Sequence, residues 1–225
     1  MDKRFWGVLA VIIIVLGGIY FVTAKEEAGT SSGEAGKVTN HLKGEGASGV
    51  VLTEYGDFEC PACGQYYPIV KQLYEKYKGD IKIQFRNFPL FQIHPNAIAG
   101  ARAAEAADLQ GKFWEMHDKL YENQQSWTTS RNPQSDFEQY AKEIGMDIEK
   151  YKTDHNSKLA NDRIQADIRE GNRLKVDSTP TFFIDGKKVS SPGSLEDFSK
   201  VIEAAIEQKT GKKPPAPEPT PAVTE

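Results

Sequence analysis

The 225-residue chain contains two cysteines, and they stand three positions apart in Cys60-Pro61-Ala62-Cys63. A disulfide across so short a loop adds little stability through chain entropy. A disulfide-built scaffold would instead spread its cysteines along the chain. The pair therefore asks for a chemical role. The apolar, β-branched run from Val50 to Tyr55 reads as a buried strand, Gly56-Asp57-Phe58-Glu59 as a turn, and Pro61 as the first turn of a helix. Cys60 then sits at a helix N-terminus, where unpaired backbone N–H groups and the helix dipole favour negative charge. Such a setting lowers a thiol's pKa and produces the thiolate nucleophile. Cys63 lies one turn deeper on the same face. It can attack a mixed disulfide and release the partner, or be the sulfur lost when the disulfide opens. Asp57 and Glu59, close in sequence, would push the Cys60 pKa the other way.

A single Cys-x-x-Cys is also half of a zinc site, but a second ligand pair is then required. His41, His94, His117 and His155 form no pair at the spacing that zinc sites use. No metal and no organic cofactor is implied; the dithiol itself is the redox group.

The elements that must position this pair follow from periodicity. From Pro61 to Tyr77, Cys63, Tyr66, Val70, Leu73 and Tyr77 recur at helical steps, with Pro68 expected to kink the helix and Gly79-Asp80 to end it. Ile81 to Phe85 alternates as a second strand, so strand, helix and strand make a βαβ unit with a parallel pair. The middle is helical. Pro95 to Gln110 is Ala-rich with Gly111 at its end, and Phe113, Met116, Leu120 and Tyr121 share a stripe. Ser135-x-x-Glu138 reads as a capping box before Phe137, Tyr140, Ala141 and Ile144, closed by Gly145. Ala160, Ile164 and Ile168 mark a further helix ending at Gly171. These stripes read as core. Thr181 to Ile184, Asp185-Gly186 and Lys187 to Ser190 form a hairpin signature, and Ser194 caps a last helix carrying Leu195, Phe198, Val201, Ile202 and Ile206.

The stretch Glu54-Tyr-Gly-Asp-Phe-Glu-Cys-Pro-Ala-Cys resembles the active-site segment of the DsbA family of thiol–disulfide oxidoreductases. Pro68, five residues past the second cysteine, is similar to the thioredoxin superfamily generally. Ser178-Thr179-Pro180-Thr181 resembles the family's cis-proline loop, and His94-Pro95 with Gly111-Lys-Phe-Trp-Glu-Met-His its helical insertion. The resemblance covers nearly all of residues 38–209. It implies an α/β, thioredoxin-like fold with a helical insertion, at about 94–173, between the βαβ unit and a C-terminal ββα unit. It also implies a cis bond at Pro180 facing the cysteines, and a Thr179 backbone that receives an extended substrate strand. By the same resemblance Glu54 is the buried acid that exchanges a proton with Cys63, its pKa raised by burial. Ala62 stands where the family's type member has histidine, so a weaker oxidant is expected. Phe58, Pro61 and Phe91 are candidates for a loosely reading apolar surface around Cys60.

A net charge of −4 gives no reason to expect nucleic acid. Phe5 to Val22 carries no charge and follows Lys3 and Arg4, which reads as a single membrane anchor (residues 1–23) with a cytoplasmic start and everything beyond it outside. A cleaved signal peptide ending at Val22-Thr23-Ala24 is the rival reading, and both export the domain. Residues 24–37 read as a flexible linker, and 210–225 as a disordered Pro-rich tail. The expected function is an extracytoplasmic oxidase that forms disulfides in exported proteins. The expected partners are those polypeptides and a membrane protein that reoxidises the pair, the chain acting as a monomer. A reductase or isomerase, or a non-catalytic chaperone or binding module on the same fold, are the alternatives. No dimerisation module of the kind an isomerase uses is evident.

Overall fold

The computed structural model describes residues 36–212. The expected anchor, nearly all of the linker and nearly all of the Pro-rich tail lie outside them. Among the described residues no helix is long and apolar enough to cross a membrane. The elements run β1 (His41–Lys43), β2 (Val50–Gly56), α1 (Pro61–Tyr77), β3 (Ile81–Asn87), α2 (Ala97–Asp108), α3 (Phe113–Glu122) and α4 (Gln124–Thr128). They continue with α5 (Pro133–Glu143), α6 (Ile148–His155), α7 (Lys158–Arg173), β4 (Thr181–Ile184), β5 (Lys187–Val189) and α8 (Leu195–Thr210). The five strands order as β1-β3-β2-β4-β5. β2 and β3 pair in parallel, with Glu54 opposite Phe85, while β4 runs antiparallel to β2. This is a thioredoxin-like α/β fold with the helices α2–α7 inserted between βαβ and ββα units.

Alternation along the strands decides what each face meets. Val50, Leu52, Ile81 and Ile83 pack with Val70 and Leu73 of α1 and with Phe198, Ile202 and Ile206 of α8. A second cluster joins Phe58, Cys60, Cys63 and Phe85 to the insertion through Met116, Leu120, Tyr121, Trp127 and Phe137. The active-site turn is thus built into the seam between sheet and insertion. At the other end of β4, Asp185 (φ 48°) and Gly186 (φ 78°) both take the left-handed region, as a two-residue hairpin turn with right-handed twist requires. Ser194 accepts the Asp197 N–H at 3.2 Å and caps α8.

Several boundaries differ from the sequence reading. Ser135 does not open a capping box: α5 begins at Pro133, with Asn132 at the N-cap, so Ser135 lies inside the first turn. Proline's preset φ nucleates the helix two residues earlier than the motif suggests. Gly171 does not end α7, which continues to Arg173. A Cβ at Gly171 would fall 2.6 Å from a Phe88 ring carbon, so this glycine serves helix–sheet packing. The helix stops instead at Lys175 (φ 58°), where Val176 N–H bonds Gly171 O at 2.9 Å and Lys175 N–H bonds Asn172 O at 3.0 Å. Phe58 is 1% exposed and belongs to the core, whereas Pro61 is exposed and Phe91 is 51% exposed. The strand β1 and the short helices α4 and α6 had no sequence signal.

Candidate active site

Cys60 occupies the N-cap of α1, with φ −67° and ψ 121°. Its own N–H donates to Asp57 O at 3.1 Å, closing the turn that leaves β2. Gln124, from α4, donates through Nε2 to the carbonyls of Phe58 and Cys60, both at 2.8 Å. Gly64 makes room for that clamp, since a Cβ there would stand 2.2 Å from Gln124 Oε1. Both cysteines are free thiols and buried, Cys60 at 6% and Cys63 at 0% exposure. The Thr179–Pro180 peptide bond is cis. Thr179 O lies 3.4 Å from Cys60 Sγ and accepts from Cys60 when that sulfur is a thiol.

These contacts set the protonation states. The Cys63 thiol donates to Cys60 and, with the Thr179 hydroxyl and the N–H groups of Cys63 and Ala62, brings the Cys60 pKa down to about 5 against the opposing effect of burial. The first cause is thus the partner thiol, with the helix N–H groups contributing after it. Cys63 moves well above the usual thiol range, first through burial, then because its proton is held by Cys60. Glu54, 4% exposed, rises to about 8: burial dominates, the Cys60 charge adds, and Lys43 opposes. At neutral pH the reduced site therefore holds a Cys60 thiolate, a Cys63 thiol and a protonated Glu54.

Asp57 and Glu59 serve the neighbouring loop. Asp57 accepts from the N–H groups of Glu59 and Leu90, both at 2.8 Å, and pairs with His94 Nδ1 at 2.7 Å. Glu59 accepts the Asn96 N–H at 2.5 Å. The two carboxylates pin the segment between β3 and α2 to the active-site turn, and neither is among the leading influences on Cys60. Lys43 lies 4.2 Å over the Trp114 ring and 4.5 Å over Tyr74. Gln124, His94, Lys43 and Tyr121 are site residues that the sequence did not single out. Each arrives from an element remote in the chain. Among the described residues no group of three or more His, Cys, Asp and Glu side chains is placed to hold a metal ion.

Known proteins share this arrangement of a cysteine pair at a strand-to-helix turn beside a cis-proline loop. A family model described as Thioredoxin matches residues 36–204. The chain belongs to the thioredoxin family. The structure of BdbD from Bacillus subtilis (oxidised) superposes with a TM-score of 0.67 at 20% identity, covering 77% of this chain and 97% of that one. Wolbachia pipientis alpha-DsbA1 gives a TM-score of 0.67 at 20% identity, covering 76% and 92%. By fold the chain is similar to these DsbA-type structures, with the helical insertion between the two halves of a thioredoxin-like sheet. A curated relative, "Na(+)/H(+) antiporter NhaA 1" of Mycobacterium sp. (strain KMS), is 35% identical over 170 residues, covering 73% of this chain. The chain spans about a quarter of such relatives' length, 26% in that case, and the printed activity belongs to the whole relative.

Proposed function

We propose that this DsbA-like chain is an extracytoplasmic dithiol oxidase that forms disulfides in exported polypeptides. The observation that carries the direction is the placing of Cys60 at the helix N-cap with the Cys63 thiol beside it, which favours the thiolate. A stabilised thiolate favours the reduced protein and so makes its disulfide a good donor. With the Cys60 pKa at about 5 instead of 9, the reduced form gains about 100-fold at pH 7, or about 60 mV for a two-electron couple.

In a turnover a substrate thiolate attacks Cys60 Sγ of the disulfide, and Cys63 leaves as a thiolate that takes a proton. A second substrate thiol loses its proton, attacks the substrate sulfur joined to Cys60, and releases the substrate disulfide and the Cys60 thiolate. Two electrons have then passed to the pair. A membrane redox partner is needed to remove them before the next cycle. The uncharged segment from Phe5 to Val22 supports export and anchoring, because an oxidising compartment is where donated disulfides persist.

The test is the reduction potential of the Cys60–Cys63 pair, equilibrated against glutathione buffers and read by alkylation. Taking about −120 mV and a pKa of about 3.5 for DsbA itself, a pKa of about 5 places this protein about 45 mV lower, at about −165 mV. A potential near thioredoxin's, about −270 mV, overturns the oxidase direction in favour of a reductase.

A further inference from the structure

The Gln124 amide gives its N–H donors to the active-site turn, reaching Phe58 O and Cys60 O at 2.8 Å each. Two carbonyl acceptors fix which end of the amide faces the turn, since its other end can only accept. The Cys60 carbonyl also takes the Gly64 N–H at 3.1 Å, so both of its lone pairs are used. Of the first amides of α1, Pro61 has no N–H and Gly64 is committed to that carbonyl, which leaves Ala62 and Cys63 to face the sulfur. They do so only while Cys60 keeps its extended N-cap backbone, with ψ at 121°. The carbonyl that Gln124 holds is the group whose direction ψ describes. The donor is itself held. Trp127, three residues on and fully buried, donates Nε1–H to Leu120 O at 2.7 Å and packs edge-on to Phe137 at 5.1 Å between ring centroids. A Cβ at Gly100 would stand 3.4 Å from the Trp127 ring and 3.3 Å from the Phe58 Cβ, so α2 seats both α4 and the active-site turn at one point.

We propose that Gln124 is a positioning residue for the nucleophile: by holding the Phe58 and Cys60 carbonyls, the insertion keeps the Cys60 sulfur aimed at the α1 amides and the Cys63 thiol. This role rests on the oxidoreductase reading proposed above and adds to it a residue from outside the βαβ unit. Two effects follow from the clamp. The positive end of the amide lies on two carbonyl oxygens, whose negative ends would otherwise stand uncompensated beside the thiolate. The turn is also fixed before the sulfur ionises, so little reorganisation is needed when a bond to Cys60 forms or breaks. Because the clamp is an uncharged amide, it acts alike across the pH range in which Cys60 titrates. Gly64 is part of the same device: a Cβ there would stand 2.2 Å from Gln124 Oε1 and 2.9 Å from the amide carbon, so only glycine lets the amide approach.

The test uses the full chain and two independent substitutions. Gln124→Met keeps the length of the side chain and removes both donors. Gly64→Ala leaves Gln124 in place and pushes its amide aside. Thiolate absorbance and iodoacetamide alkylation report on Cys60 in the reduced protein, and equilibration with glutathione reports on the pair. Gln124→Met should raise the Cys60 pKa by about one unit, which slows alkylation at pH 4 about tenfold. The equilibrium with glutathione at pH 7 should shift about tenfold away from the reduced protein, or about 30 mV. Gly64→Ala should move both readouts the same way, and adding Gln124→Ala to it should add little, because the two act through one contact. A Gln124→Met protein that melts lower yet titrates and equilibrates as wild type overturns the role, since the clamp then serves stability alone. So does Gly64→Ala with a wild-type titration, which decides the matter if Gln124→Met does not fold, and so does a double variant whose effects add. A wild-type disulfide inert to glutathione overturns the oxidoreductase reading, and the titrations still decide the clamp.

Discussion

The Cys63 thiol is the first cause of the low Cys60 pKa, and two substitutions separate that hydrogen bond from everything else at the site. Cys63→Ala removes the sulfur and the donor; Cys63→Ser removes the sulfur but keeps an O–H. Cys63 is fully buried, so both variants lose the sulfur's packing and the difference between them reads the donor. A hydrogen bond to a charged group is worth about 1.5–3 kcal/mol. A thiol is a weak donor, so the lower end applies, and about 1.5 kcal/mol is about one pKa unit. Cys60 in Cys63→Ala should therefore titrate at about 6, and in Cys63→Ser near 5. At pH 5.5 the thiolate fraction falls from about three-quarters to about one-quarter, a threefold loss. Thiolate absorbance across pH 3–9, with iodoacetamide alkylation rates as a second readout, measures both. If the two variants titrate together, the hydrogen bond from Cys63 does not hold the thiolate, and the backbone amides with Thr179 must carry it.

Four further outcomes follow from the same contacts. In the reduced protein the Cys60 pKa lies below its unfolded value, so between about pH 5 and 9 the unfolded chain binds more protons there and stability rises with pH. Glu54 is raised, so between about pH 4.5 and 8 the folded chain holds the extra proton and stability falls with pH. The two nearly cancel, and denaturant melts of reduced Glu54→Gln should show an unmasked rise of up to about 1.4 kcal/mol per pH unit from pH 5 to 8, where wild type stays nearly flat. Thr179→Val should raise the Cys60 pKa by removing a side chain that favours the thiolate, and through the same linkage should lower the melting temperature of the reduced protein at pH 7 but not at pH 4. Gln124→Ala deletes both clamps on the Phe58 and Cys60 carbonyls and should cost about 1–3 kcal/mol in denaturant unfolding. Gly56→Ala places a Cβ 2.4 Å from a Phe85 ring carbon, so it should lower the melting temperature, whereas Gly79→Ala, with nothing within 4 Å, should not.

The parts of the site that sequence reading reached are those carried by short-range pattern. Cys60 and Cys63 are three apart, Glu54 shares a strand with the turn, and Thr179-Pro180 precedes the hairpin. The alternation of β2 and β3 and the stripes of α1, α3 and α8 are likewise local, and they place the sheet and its covering helices. What sequence reading missed is long-range. Gln124 reaches Cys60 from 64 residues away and His94 reaches Asp57 from 37. Gln124 belongs to no motif, and His94-Pro95 marked the insertion without pointing to Asp57. Tyr121 lies in a helical stripe beside Leu120, and a stripe residue reads as core whatever its hydroxyl touches. β1 is three residues long, too short for any period to show, and it brings in Lys43. Ser135 and Gly171 failed for a different reason. Each matched a terminus signal, but Pro133 had already started one helix and the Phe88 contact kept the other going.

The electrostatic arrangement explains how one site accommodates opposite protonation demands on three neighbouring groups. Cys60 must be ionised to act, yet its charge and the surrounding burial both disfavour a second anion, so Glu54 keeps its proton and Cys63 stays a thiol. The reduced state thus carries one negative charge at the seam. Forming the Cys60–Cys63 disulfide removes that charge, and with it one of the two influences that hold Glu54 protonated. The Glu54 pKa must then fall on oxidation while Lys43 continues to favour the carboxylate. Redox state and protonation are thereby linked, and the acid is charged with a proton when the dithiol exists and readier to give it up as the disulfide forms. The sign of that link is open to direct measurement. A carboxyl resonance of Glu54 followed by pH titration should shift to lower pKa in the oxidised protein. An equal or higher value there would mean that burial alone sets the acid, leaving Cys60 without influence on it.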